Sequence, residues 1–199
     1  MNGLKEEKEK RMPETVILVD EDNREIGVME KMLAHQKGKL HRAFSVFLFS
    51  PTGNILLQRR ALQKYHCGGL WTNTCCSHPR PGETLSAAVK RRLQEELSIT
   101  CTVSKAFEFI YRAEFDNGLI EHEFDSVFIG EYEGPVRPNA EEVMEFQWFD
   151  SEDLAKQMQN NAEQFTPWFK IAYPRILKEK SANISNRSRQ SQETKYPTR

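Results

Sequence analysis

Residues 77–99 read SHPRPGETLSAAVKRRLQEELSI. From Glu83 to Leu97 the spacing predicts a helix, with Leu85, Ala88, Val89, Leu93 and Leu97 along one side. The rest of its surface carries Glu83, Arg91, Arg92, Glu95 and Glu96. Carboxylates on one helix can hold a divalent cation against a diphosphate, because hard oxygen ligands suit Mg2+. The plain alternative is an amphipathic helix with solvated charges.

Outward from this helix, strand and helix signals are mixed. Thr15–Val19 is a short β-branched run. Arg42–Ser50 and Asn54–Arg59 flank Pro51-Thr52-Gly53, which predicts a hairpin. Ala106–Phe115 and Glu123–Gly130 predict two strands around Asp116-Asn117-Gly118, and Phe146–Phe149 another. Asp150–Gln159 and Phe165–Lys178 predict helices, the second broken or kinked at Pro174. Strands without strict βαβ alternation imply an α/β (α+β) fold, a mixed sheet sandwiched between helices in a single domain. The expected boundaries are a charged flexible tail over 1–12, the folded domain over 13–179 and a disordered polar tail over 180–199.

Composition excludes several classes. The net charge is −1, from 28 basic and 29 acidic residues, so the chain is not a general binder of nucleic acid or anionic membrane. No apolar run approaches the roughly 20 residues that span a bilayer. The N-terminal residues are charged rather than apolar, so no secretory signal is expected and the cytoplasm is the expected compartment. Four cysteines do not make a disulfide framework; in a reducing cytosol they point to chemistry, metal or packing. The expected state is a monomer or weak homo-oligomer.

Three groupings carry possible chemistry. All five histidines lie between His35 and His122. His35, His41 and His78, with Glu121 and Glu123 on one face of a strand, would make a high-coordination site for a first-row divalent metal. His66 and His122 lack such a context and read as filler. In Cys75-Cys76-Ser77-His78 the adjacent cysteines lack zinc-finger spacing. A thiol beside a metal-binding imidazole reads better as a reactive group, a buried free cysteine being the bland alternative. Lys31, Arg59, Arg60, Lys64, Arg91 and Arg92 supply the cations of a diphosphate clamp.

The 77–99 stretch resembles the Nudix box, G-x5-E-x7-R-E-U-x-E-E-x-G-U with U a bulky aliphatic. Glu83, Arg91, Leu93, Glu95, Glu96 and Ile99 match it, whereas Ser77, Arg92 and Ser98 replace Gly, Glu and Gly. Further pieces occur in order: Glu30-Lys31-x3-His35, Leu40 to Ser45, Arg59-Arg60-Ala61-Leu62-x-Lys64, Gly69 to Pro79 with Trp71-Thr72-Asn73-x-x-Cys76-x-His78-Pro79, Tyr111-Arg112-Ala113, Glu121-His122-Glu123 and Thr166-Pro167-Trp168. Together, over residues 14–176, they resemble the type I isopentenyl-diphosphate Δ-isomerase family, which has a Nudix fold.

The resemblance implies specific roles. The principal metal ligands fall on His35, His41, His78, Glu121 and Glu123, taking Mn2+ or Mg2+, with Zn2+ also admitted by the imidazoles. A second metal, Mg2+ bridging protein and diphosphate, falls on Glu96, with Cys76 contributing through its backbone. The diphosphate clamp falls on Lys31, Arg60, Lys64 and Arg91 or Arg92. Cys76 is the catalytic thiol and Glu123 the catalytic carboxylate, hydrogen-bonded by Tyr111. Trp168, with Trp71 as a second candidate, covers the isoprenoid. The substrate is then a small isoprenoid diphosphate, isomerised by protonation and deprotonation through a tertiary carbocation. Two rivals remain: a Nudix pyrophosphohydrolase, which Arg92 argues against, and a non-catalytic metal-dependent diphosphate-binding module.

Overall fold

The computed structural model describes residues 14–179. The two expected tails, 1–12 and 180–199, lie outside the described residues. In chain order the elements are β1 (Thr15–Val19), β2 (Glu25–Glu30), α1 (Lys31–Gln36), β3 (His41–Phe49), β4 (Ile55–Arg60), β5 (Trp71–Thr72), β6 (Cys75–Ser77) and α2 (Leu85–Leu97). There follow β7 (Val103–Glu114), β8 (Ile120–Glu131), β9 (Val143–Phe149) and α3 (Ser151–Asn160). A 3-10 turn (Ala162–Gln164) leads to α4 (167–179).

β3 is the hub of the mixed sheet. It runs parallel to β8, and antiparallel to β1, β4 and β6. The alternation of its side chains divides the core in two. Phe44, Val46 and Leu48 meet Ala88, Val89, Leu93 and Leu97 of α2. Phe47 and Phe49 meet Leu154 of α3 and Trp168, Phe169, Ala172, Tyr173 and Ile176 of α4. Both faces of the strand are therefore buried, which is why its sequence is apolar almost throughout.

Beyond the hairpin, β3 and β4 share only Leu48↔Leu56 and Phe49↔Ile55 before they splay apart. A buried polar run fills the gap. The Thr74 hydroxyl accepts from Leu48 N (2.9 Å) and donates to the Leu56 carbonyl (2.7 Å), tying the two strands together. Asn73 Nδ2 donates to the carbonyls of Cys75 (2.6 Å) and Val46 (3.3 Å). These bonds deliver β6 to β3 in the register Phe44↔Ser77, Ser45↔Cys76 and Val46↔Cys75.

α2 starts at an N-cap, the Thr84 hydroxyl accepting from Ala87 N. It ends at Ser98, whose φ of 56° is left-handed, with Ser98 N and Ile99 N donating to the Gln94 and Leu93 carbonyls. This is the place of the last glycine in the box, and the left-handed cap explains why glycine is the residue expected there. Pro174 does not interrupt α4. It lies on the exposed side, where water can satisfy the carbonyl left without a donor, while Tyr173 and Ile176 hold the helix against the core.

Candidate active site

The sheet register assembles the centre. On β8, Glu121, Glu123 and Asp125 alternate onto one face, and all three are buried. Glu123 lies beside His41 of β3 and opposite Tyr111 of β7. α1 brings His35 from the side, and the end of β6 brings His78. One donor atom from each of His35, His41, His78, Glu121 and Glu123 lies within 4.8 Å of all the others.

Outer hydrogen bonds fix which nitrogens face inward. His35 Nδ1 donates to the Lys31 carbonyl (2.7 Å) and His41 Nδ1 to the Lys39 carbonyl (2.8 Å). A carbonyl only accepts, so in each neutral ring Nε2 carries the lone pair. His35 Nε2 nonetheless lies 3.2 Å from Glu121 Oε1, and His41 Nε2 lies 3.2 Å from His78 Nε2 and 3.6 Å from Glu123 Oε1. Glu121 Oε2 is buried with no partner among the described residues. Lone pairs and carboxylates converging in this way fit a divalent cation, and the three-imidazole, two-carboxylate set suits a first-row metal or Mg2+.

A cavity of about 440 Å³, counting its open mouth, adjoins this cluster. Cys76, Tyr111 and Glu123 line it together, with Trp168 on its wall. The Tyr111 hydroxyl donates to Glu123 Oε2 at 2.6 Å. Burial pushes Tyr111 well above the usual phenol range, and the neighbouring carboxylates push it further. Burial also pushes the Cys76 thiol up to about 12, against the pull of Arg60. Cys75, one residue earlier, points the other way into the core beneath α2 and is fully buried. Trp168 Nε1 donates to Thr72 Oγ1 (2.8 Å) and Asn73 Oδ1 (3.2 Å), which fixes its ring.

Lys31, Arg60, Lys64 and Arg92 line the same cavity. Lys31 pairs with Glu14 at 2.9 Å, and Lys64 pairs closely with Glu142. Arg92 reaches Glu95 (2.8 Å), Glu96 (2.6 Å) and Glu142 (3.1 Å). Arg60 has no ion pair among the described residues. Its guanidinium contacts Cys76 Sγ at 3.8 Å and the His66 carbonyl at 3.4 Å, and lies 5.3 Å from the Trp168 ring centre.

Three expected residues are brought neither to the cavity wall nor into the five-residue cluster. Arg91 is held outside by Glu83 (2.8 Å) and Glu95 (3.2 Å). Glu96 is buried behind Arg92 and accepts from Gln58 Nε2 at 2.8 Å. Trp71 packs edge-on against Phe149, ring centres 5.1 Å apart, in the α4-side core.

Other residues at the site had no assigned place in the sequence reading. Tyr65 and His66 line the cavity, and His66 contacts Glu121 directly. Asp125 accepts from Ser45 Oγ at 2.7 Å, and burial raises its carboxyl well above the ordinary range. Continuing the period-two pattern of Glu121 and Glu123 by one step would have found Asp125. Nothing in the spacing pointed to His66.

Comparison with known proteins agrees with this geometry. Residues 39–169 match the NUDIX domain family. An isopentenyl-diphosphate Delta-isomerase of Burkholderia multivorans is 51% identical over 79% of this chain and 90% of its own. An isopentenyl-diphosphate Delta-isomerase 2 of Aromatoleum aromaticum is 46% identical over 86% and 91%. The crystal structure of a MutT protein from Methanosarcina mazei is 20% identical, covers 71% of this chain and 95% of that one, and superposes with a TM-score of 0.59. A Deinococcus radiodurans crystal structure does so with a TM-score of 0.61 at 19% identity, covering 74% of this chain and 90% of that one. Those two share the fold alone; the identity to the sequence relatives, sustained over most of both chains, makes this chain a member of the isopentenyl-diphosphate Delta-isomerase family, built on the Nudix fold.

Proposed function

We propose that the protein interconverts isopentenyl diphosphate and dimethylallyl diphosphate. The observation that carries this reading is a single cavity holding Cys76 and the Tyr111–Glu123 pair under the Trp168 indole, next to the five-ligand cluster. The substrate carries an unactivated C=C bond. A proton must be added at the terminal methylene, giving a tertiary cation, and another removed from the carbon nearer the diphosphate. Cys76 and the Glu123–Tyr111 pair supply the two proton-transfer groups, exchanging acid and base roles with reaction direction. The Trp168 face supports the cation, an attraction on the order of 2 kcal/mol once desolvated. With substrate filling its mouth, the cavity would keep water from the cation.

His35, His41, His78, Glu121 and Glu123 would hold one divalent metal, for which the mixed nitrogen and carboxylate donors favour Mn2+ or Mg2+. Bound there, such a metal would supply positive charge beside Glu123 and so lower its basicity. Glu96 would hold a Mg2+ shared with the diphosphate, giving up part of its pairing with Arg92. Arg60, Lys31, Lys64 and Arg92 bind the diphosphate and so orient the short hydrocarbon tail. Arg91 supports the end of the β6 segment, its Nη2 lying 3.4 Å from the His78 carbonyl. The activity lies within residues 13–179, in a cytoplasmic protein that works as a monomer or weak homo-oligomer. Four free thiols support a reducing compartment.

The test is incubation with isopentenyl diphosphate and Mg2+ followed by product analysis. Dimethylallyl diphosphate is expected. Phosphate release would instead favour a hydrolase, and unchanged substrate a binding module.

A further inference from the structure

His66 lies outside the five-residue cluster, on the loop between β4 and β5, yet its ring is buried against that cluster. Its relative exposure is 6%. It stacks on Phe115, ring centres 4.9 Å apart and planes 10° from parallel, and stands edge-on to Tyr65 (4.3 Å) and Trp168 (5.8 Å). Rings on three sides leave it little freedom to rotate. Among the described residues the ion-pair partner of its Nε2 is Glu121 Oε1, a close contact without hydrogen-bond geometry, and its Nδ1 is buried with no partner.

These contacts favour one tautomer. A neutral imidazole has one N–H, and among the described residues Nε2 is the ring nitrogen that lies against an acceptor, which favours the proton there, toward Glu121. His35 cannot do this job. Its Nδ1–H is already committed to the Lys31 carbonyl, which leaves Nε2 as a lone pair toward the same carboxylate. Glu121 therefore stands between two unlike imidazoles, one a donor and the other shaped as a metal ligand. The donor holds the carboxylate in one orientation, with Oε2 left unpartnered.

We propose that His66 is a positioning residue of the metal site, an outer partner that fixes Glu121 by an Nε2–H hydrogen bond while the packing of Phe115 and Trp168 fixes His66. The inference rests on the five-residue cluster being a metal site. Outer partners of ligating groups typically contribute about tenfold to a hundredfold in metal affinity.

The experiment is titration of the metal-stripped full-length protein with Mn2+, followed by electron paramagnetic resonance of the free ion. The parent, His66→Phe and His66→Gln are compared, with melting temperatures of all three in the metal-free state. Phe keeps the ring packing and loses the donor. Gln keeps an amide N–H at similar reach and loses the ring. The expected result is Mn2+ affinity reduced about tenfold to a hundredfold in His66→Phe, at near-parental melting temperature, and recovered to within several-fold in His66→Gln. Parental affinity in His66→Phe would overturn the proposal. So would weakening that tracks the melting temperature instead of the donor. If the parent itself bound no Mn2+, the metal-site reading would fail and this inference with it.

Discussion

The two ends of the cavity are built on opposite electrostatic plans. At the histidine end, carboxylates and imidazole nitrogens converge, and their outer hydrogen bonds run to the Lys31 and Lys39 carbonyls and from Tyr111. At the basic end, Lys31, Lys64 and Arg92 are each already matched to carboxylates, and among the described residues Arg60 has no ion-pair partner. The first end is preorganised for a cation that must be supplied. The second holds internal substitutes for an anion, so a diphosphate there exchanges one set of partners for another. Its net gain is modest except at Arg60, a buried cation that, among the described residues, gains an ionic partner without losing one.

The largest expected effect separates the reacting wall from both ends. Cys76→Ala should lower isomerisation by roughly 10²–10⁴-fold, as removal of one of two proton-transfer groups does. Cys76→Ser should also fail badly, since a hydroxyl ionises far less readily than a thiol. Cys75→Ala should stay within several-fold of the parent, because its thiol is buried beneath α2 and away from the cavity. Turnover and metal content measured together give the check. A dead Cys75 variant beside an active Cys76 variant would place the reacting thiol on the wrong strand face.

The histidine end comes next. A strong chelator should abolish turnover, and His78→Ala should lower bound metal and turnover together by tenfold or more, on the order of what loss of a metal-site partner costs. Elemental analysis of purified protein decides this. A fully active, metal-free protein would remove the premise that this end awaits a cation.

At the basic end the comparison predicts effects of opposite sign. Arg60→Gln should raise KM about tenfold to a hundredfold, matching roughly 1.5–3 kcal/mol for a charged hydrogen bond. Glu142→Gln should lower KM a few-fold, since it frees Lys64 and Arg92 from an internal rival worth about 1 kcal/mol or less. Equal and parallel changes would show that the two ends do not differ in the way described.

The smallest effect is a pH dependence. Burial depresses Lys64 to about 8, opposed by Glu96 and assisted by Arg60, Arg92 and Lys31, while Glu142 pairs with it directly. A depressed lysine keeps its charge below that value and loses it as pH rises through it. KM should therefore climb above about pH 8, and Lys64→Arg should remove that limb because guanidinium stays charged. A KM that is flat from pH 7 to 10 in the parent would contradict it.

Much of this arrangement was legible before the structure. The period of Leu85 to Leu97 gave α2, and alternation around Asp116-Asn117-Gly118 gave β7 and β8, the first about three residues short at its outer end and the second about three short at the turn. The five metal-site candidates were readable because each sits in a local string that resembles a family pattern. β5, β6 and α1 were not, since these short runs show no apolar period and owe their form to pairing and packing with β3, β4 and β8. The burial of Trp71 and the contact of His66 with Glu121 were hidden for the same reason. Both depend on the path of the loop over residues 61–70 across the sheet, and no local spacing encodes that path.

The central claim is that this cavity moves a proton across a carbon skeleton and leaves the diphosphate whole. Turnover of isopentenyl diphosphate in D2O, followed by proton, deuterium and phosphorus magnetic resonance, tests it most directly. The account predicts deuterium in the hydrocarbon of dimethylallyl diphosphate, with the diphosphate resonances intact. Release of inorganic phosphate or a monophosphate, with no deuterium entering carbon, would contradict it.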